Sequence, residues 1–329
     1  MAHHLFLCST PFNVVIASMI ALDVQKSGTC ELWLIDQPLE PSPFMRQVLS
    51  WKVSPFMDIK LASHQAKTLS AKRGRKKELK RLARTAEEKG VTDLYTGNDR
   101  RVEFQWLMAH LSNKTTGHYI DDGSYSYIGR KTHWLSDKII DNLLKKLSYG
   151  IWWKQPETIG ASAWITIAHL AFPDLAVPAL RKKDCRKIPE YINDPVFESL
   201  CDSFRDSLAG LNKLDALIIL PHESVRSSET EQLLLAEGKE HSTCGIKCHP
   251  RSRTSIPEQA SEMRVVDANL PFELLLTQLE SGCCIIGDVS SALLTARWLR
   301  PELPIVCYAQ NENSLTRLMQ SLDIKVKLI

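Results

Sequence analysis

Gly117-His118-Tyr119-Ile120-Asp121-Asp122-Gly123-Ser124 is a short apolar run that meets two adjacent carboxylates and a glycine. The run reads as a strand, and Gly123 permits the positive φ of a sharp turn, so the acids stand at a sheet's carboxyl edge. Open α/β sheets keep their ligand clefts at that edge. Neighbouring strand residues point to opposite faces, so only one of the two acids enters such a cleft directly. An acidic turn that merely ends a strand is the plain alternative, because Asp-Gly is common loop punctuation. Two later stretches weigh against it: Lys247-Cys248-His249-Pro250 and Gly287-Asp288-Val289-Ser290-Ser291 also close apolar runs.

Outward from this stretch, strand and helix patterns alternate. Leu5 to Cys8 reads as a strand, Ser9-Thr10 as a turn and cap, Pro11 as a first-turn residue and Phe12 to Gln25 as a helix. Strands follow at Cys30 to Ile35 and Val91 to Thr96, with a helix from Arg100 to Leu111 and an amphipathic helix from Trp134 to Ser148. Prolines 156, 173 and 178 and Trp152, Trp153 and Trp164 interrupt the alternation, and the domain boundary is placed there, dividing 1–155 from 156–329. Trp152 and Trp153 are read as packing between the domains, with a membrane-surface anchor as the alternative. The pattern then resumes, with strands at 216–220, 245–248, 264–266, 283–287 and 304–308 and helices at 229–238, 271–279, 291–299 and 314–322. Alternation of this kind predicts parallel sheets covered on both faces, the doubly wound arrangement.

The chain has 329 residues, 44% hydrophobic and 24% charged, which fits an ordinary globular protein of about two domains. The apolar start, His3 to Leu22, is broken by Pro11 and Asn13 and lacks a preceding basic region, so it predicts neither signal peptide nor membrane span, and a cytoplasmic chain is expected. Nine cysteines, an odd number mostly inside apolar runs, agree with a reducing compartment. A zinc site from Cys244, Cys248, His249, Cys283 and Cys284 is conceivable, but its spacing fits no structural-zinc pattern. From Lys67 to Arg84, nine cations stand against the single acid Glu78. Such a run is a solvated helix face or a surface for anionic lipid or acidic glycan; without interleaved aromatics it does not point to nucleic acid.

The ordered set of Asp121-Asp122-Gly123, His249-Pro250 and Ser290-Ser291 resembles the bacterial sialyltransferases that use a CMP-activated nonulosonic acid, of the lipooligosaccharide sialyltransferase and capsular polysialyltransferase type. Ser9-Thr10-Pro11, Tyr95 to Asp99, Ile159 to Ser162 and Leu270 to Glu273 add to the likeness. The resemblance implies two Rossmann-like domains facing a central cleft, the GT-B glycosyltransferase architecture. The front domain would take an oligosaccharide or glycolipid acceptor and the rear domain CMP. It also implies an inverting enzyme without a metal or other cofactor, building bacterial surface glycan, cytoplasmic or peripheral on the inner membrane face.

Glycosyl transfer needs a base for the acceptor hydroxyl, and either Asp121 or Asp122 suits that role. The family pattern implies Asp121, with Asp122 holding local geometry or contacting substrate and Gly123 supporting the turn. His249 can donate to a departing phosphate from a loop stiffened by Pro250, and Ser290 and Ser291 start a helix whose free N–H groups favour an anion. By resemblance Glu273 accepts from the ribose hydroxyls. Thr10, Asn98, Asp99 and Arg100 fall on the acceptor side. The competing class is a nucleotide- or glycan-binding α/β protein without turnover, docked on anionic surfaces by its basic segment. A metal-dependent hydrolase using Asp121, Asp122 and His249 is a third reading, disfavoured because no second ligand cluster stands near His249.

Overall fold

The computed structural model describes residues 1–65, 69–111, 114–129, 145, 146, 150–252 and 256–329, with backbone alone at 69–73. The chain divides into two compact units, Met1–Tyr191 and Ile192–Ile329.

Unit 1 is a seven-stranded sheet in the order β3-β2-β1-β4-β5-β6-β7, every pairing parallel. The strands are β1 (Ala2–Cys8), β2 (Gly28–Leu34), β3 (Asp58–Leu61), β4 (Asp93–Thr96), β5 (Thr116–Ile120), β6 (Ile165–Leu170) and β7 (Asp184–Lys187). Between them run α1 (Pro11–Val24), α2 (Pro43–Leu49), α3 (Leu69–Glu88) and α4 (Val102–His110), followed after β5 by the short α5 (Tyr125–Ile128). A parallel strand buried on both faces must be apolar throughout, as in Leu5-Phe6-Leu7-Cys8 and Leu32-Trp33-Leu34. Leu5, Leu7, Trp33, Leu94, Phe104, Leu107 and Tyr119 form the main core.

Unit 2 repeats the design with six parallel strands in the order β10-β9-β8-β11-β12-β13. They are β8 (Ala216–Ile219), β9 (Cys244–Lys247), β10 (Arg264–Val266), β11 (Cys284–Asp288), β12 (Ile305–Ala309) and β13 (Lys325–Leu328). The helix Ser228–Lys239 buries Leu234 and Leu235 against Ile218, Ile246 and Ile286.

The division falls at 191/192 rather than at 155/156. The prolines that suggested a boundary flank β6 without entering it, and β6 and β7 complete the first sheet through their pairing with β5. Trp152 and Trp153 belong to unit 1 as well: Trp152 packs edge-on against Trp106 (5.3 Å) and Trp153 is buried. The expected helix from Trp134 to Ser148 lies outside the described residues apart from Lys145 and Lys146.

Polar groups interrupt the core of unit 1. His118 links Asp93 (Nε2 to Oδ1, 2.9 Å) to His169 (Nδ1 to Nε2, 3.1 Å). Burial, aided by the charges of His118 and Arg186, pushes His169 from the usual 6.5 down to about 3. The unfolded chain therefore takes up a proton near pH 6.5 that the folded chain refuses until near pH 3, so acid costs stability across that window. Between pH 7.5 and 5 this group alone removes about 2 kcal/mol. In denaturant titrations, His169→Gln is expected to lose about that much less on acidification, and an unchanged pH dependence contradicts the assignment.

Candidate functional site

In a doubly wound sheet the crevice opens where the strand order reverses, between β1 and β4 in unit 1 and between β8 and β11 in unit 2. The sequence candidates of unit 1 collect at the first of these edges. Thr10 caps α1, its Oγ1 accepting from Asn13 N–H (3.2 Å). Asn13, buried in an otherwise apolar helix, donates from Nδ2 to Asp122 Oδ1 (3.3 Å). Gly97, after β4, leaves room for this: a Cβ there would fall 2.3 Å from Asn13 Nδ2.

The two adjacent acids have opposite surroundings. Asp121 is 1% exposed and saturated. Its Oδ1 accepts from Gly123 N–H (2.9 Å) and Ser126 Oγ (2.7 Å), and its Oδ2 from Ala171 N–H (3.0 Å) and the Tyr127 hydroxyl. It ties the end of β5 to the following turn and to the segment after β6, while Gly123, at φ +85°, makes the turn. Asp122 is only partly buried and has one side-chain partner, Asn13. Burial pushes its carboxyl up to about 7; the Asn13 bond opposes the rise and the Asp121 charge adds to it. The geometry thus divides the pair: Asp121 is tied into the fold by four donors, while Asp122 keeps one side-chain partner at the partly exposed edge, so the expected base is the more enclosed of the two.

Asp99 is also structural, its carboxylate accepting from Gly160 N–H (2.9 Å) and Ser162 N–H (2.7 Å). The loop it holds packs on Tyr119, where Gly160 adopts φ +82° with no space for a Cβ. Asn98 Oδ1 accepts from Arg100 N–H (3.0 Å). Asn98, Arg100, Arg101, Tyr125 and Ile159 line an open depression of about 430 Å³. Arg101, absent from the sequence reading, pairs with Asp36 and donates to Ser9 Oγ (3.4 Å).

At the edge of unit 2, Ser290 stands at the N-cap of the helix Ser291–Leu299, yet its hydroxyl makes no capping bond and is buried without a partner. Oδ1 of Asp288, at the end of β11, is likewise buried and unpaired, and burial pushes that carboxyl up to about 6. Beside them a depression of about 230 Å³ is lined by Pro221, Arg226, Ser227, Asp288, Tyr308 and Gln310, among others. His249 Nδ1 accepts from Arg251 N–H (3.1 Å), which leaves the ring proton on Nε2. Burial, then the neighbouring His222, Arg251 and Lys247, hold the ring pKa below its usual value, so the imidazole is a neutral hydrogen-bond donor at neutral pH. His222, which follows β8, packs edge-on to it at 5.3 Å. Pro250 and Ser291 are exposed.

Glu273 is 8% exposed in the first turn of Phe272–Leu276, its carboxyl raised by burial against the pull of Lys247. Lys247 is itself buried, pushed down to about 8, and donates to the carbonyls of Asp267 (3.0 Å) and Ala268 (2.9 Å). Among the described residues no three His, Cys, Asp or Glu side chains form a metal-ligand set, so the grouping of Cys244, Cys248, His249, Cys283 and Cys284 does not assemble as one. All nine cysteines are free.

Asn13, Arg101, His222 and Asp288 are the residues that sequence reasoning passed over. A lone amide in the apolar face of α1 was the signal for Asn13, and the end of the β11 run was the signal for Asp288.

No known family profile matches the chain, and neither does any curated protein. Solved structures do. The UDP-GlcNAc 2-epimerase of Neisseria meningitidis, bound to UDP-GlcNAc, is 13% identical with a TM-score of 0.58, covering 100% of this chain and 87% of that one. S. aureus MnaA, in a co-structure with UDP, is 11% identical at TM-score 0.55, covering 100% and 84%. The glycosyltransferase SnogD of Streptomyces nogalater is 11% identical at TM-score 0.53, covering 100% and 87%. The fold is GT-B. This corrects the resemblance to CMP-dependent sialyltransferases, because the chain's structural neighbours are a glycosyltransferase and proteins solved with UDP or a UDP-sugar.

The saturated environment of Asp121 makes a stability prediction. Asp121→Asn turns an amide against at least one donor and is expected to cost about 2 kcal/mol or more. Asp122→Asn is expected to cost less than about 1 kcal/mol. Denaturant midpoints of the two variants check this, and the opposite ranking contradicts the division of roles.

Proposed function

We propose that the chain is a nucleotide-sugar-dependent glycosyltransferase that takes a nucleoside diphosphate sugar, a UDP-sugar by likeness to its structural neighbours. Asp122 carries the reading: a partly exposed carboxyl pushed up to about 7 at the carboxyl edge of a parallel sheet is poised to accept a hydroxyl proton at neutral pH. Asn13 holds it in place, and Asn98, Arg100 and Arg101 serve the acceptor. In unit 2 the Ser290 hydroxyl, the N–H groups of the helix it precedes and the Nε2–H of His249 are suited to the donor's phosphates, whose charge grows as the sugar leaves. Attack by the deprotonated hydroxyl on the face opposite the leaving group gives an inverting reaction. Asp121, Asp99 and Gly123 hold the acceptor edge in shape. Ser291 supplies one of the N–H groups.

The test is nucleotide release from a panel of nucleotide sugars, with and without oligosaccharide acceptors and with chelator present. Acceptor-dependent release that persists under chelation is expected. Release independent of acceptor would favour an epimerase or hydrolase, and binding without release would favour the non-catalytic reading. Asp122→Asn is expected to lower the transfer rate by about 10²–10⁴-fold with nucleotide affinity retained. Ser290→Ala is expected to weaken nucleotide binding about tenfold. Because the base acts deprotonated, the wild-type rate rises with pH through about 7 and levels above it. A rate that falls over that range contradicts the assignment.

A further inference from the structure

Helix α3 crosses from β3 to β4 with two unlike faces. Leu79, Leu82 and Ala86 are buried, and Leu82 and Ala86 join the core with Trp33 and Phe104. Lys76, Lys77, Lys80, Arg81 and Arg84 are all exposed. Residues 76, 80 and 84 lie on one line along the helix and 77 and 81 on the next, so five cations form a stripe about 12 Å long. Like charges four residues apart repel and weaken a helix, so the stripe stands at a cost unless a counter-charge meets it.

The described residues supply little of that counter-charge. Arg84 pairs with Glu88 (2.8 Å), and no described carboxylate lies within ion-pair distance of Lys76, Lys77 or Lys80. The helix is fixed to its unit from the other side. Arg75 donates to Glu103 Oε1 (3.0 Å), and the same oxygen accepts from Ser63 Oγ (3.0 Å) beyond β3. The stripe is thereby anchored to the body that carries Asp122.

We propose that this face of α3 docks the protein on an anionic lipid bilayer. A straight line of cations on one side of a rigid helix matches a planar field of headgroups. Lysine ammonium groups suit diffuse surface charge better than bidentate recognition of a single group. The stripe has no aromatic side chain on which a nucleic-acid base can stack. Docking needs no step of the transferase reaction, so it stands apart from the function proposed above.

Cosedimentation of the full chain with vesicles of phosphatidylcholine, and of phosphatidylcholine mixed with phosphatidylglycerol, tests this at about 0.1 M salt, where charges act over about 10 Å. The wild-type chain is expected to bind the anionic vesicles at least about tenfold more tightly than the neutral ones and to be released by high salt. Reversal of three charges, K76E with K80E and R84E, is expected to reduce that binding about a hundredfold, at about fivefold for each cation. K239E, an exposed reversal in unit 2, is expected to change it less than about fivefold. Circular dichroism and an unchanged denaturant midpoint show that the triple variant is folded. Equal binding to both vesicle types, equal loss in K239E, or binding to single-stranded RNA but not to anionic vesicles overturns the proposal.

Discussion

Every strand pairing in both sheets is parallel, and that constraint governs what the rest of the chain can do. A parallel strand cannot be joined to its neighbour by a tight hairpin, so each connection crosses back over a face of the sheet. All carboxyl ends then emerge on one edge, and helix starts gather there with their free N–H groups. Chemistry-bearing side chains scattered through the sequence, from Thr10 to Asp122 in unit 1 and from His222 to Ser290 in unit 2, come to one edge of their unit for this reason alone.

Position just past a strand end then separates neighbours. Asp121 and Asp122 follow the end of β5, and the first carboxyl is enclosed by the protein while the second lies toward the partly exposed edge. The inward carboxylate is bound by two backbone N–H groups and two hydroxyls, which fix the turn, while the outward one keeps a single amide partner and a pKa near neutrality. Asp99 repeats the inward solution in the loop after β4 by holding the Gly160 loop.

The alternation of apolar runs and helical periods made the doubly wound class legible, since central strands such as Leu5 to Cys8 and Ile285 to Gly287 are apolar on both faces. Three of the four edge strands were not, although β10 was: β3 (Asp-Ile-Lys-Leu), β7 (Asp-Cys-Arg-Lys) and β13 (Lys-Val-Lys-Leu) carry the charges that protect an open edge from pairing, and they read as loops. Missing β6 and β7 moved the domain boundary about 35 residues too early. The enclosure of Asp121 was not legible because one of its donors, the Ala171 N–H, lies 50 residues away. The sialyltransferase resemblance failed for a related reason. Asp-Gly turns, His-Pro loops and serine-led helices are what a doubly wound sheet places at its strand ends, so their order follows the fold without fixing the nucleotide.

The proposed account places the donor's phosphates at the end of β11, against the hydroxyl of Ser290. Hydrogen exchange of the full chain, measured with and without saturating UDP, tests this most directly. The account predicts slowed exchange at the amides of Val289 to Leu293 and around His249, with the Gly97 to Arg101 edge unchanged. Protection confined to the Gly97 to Arg101 edge, or absent from Val289 to Leu293, would contradict it.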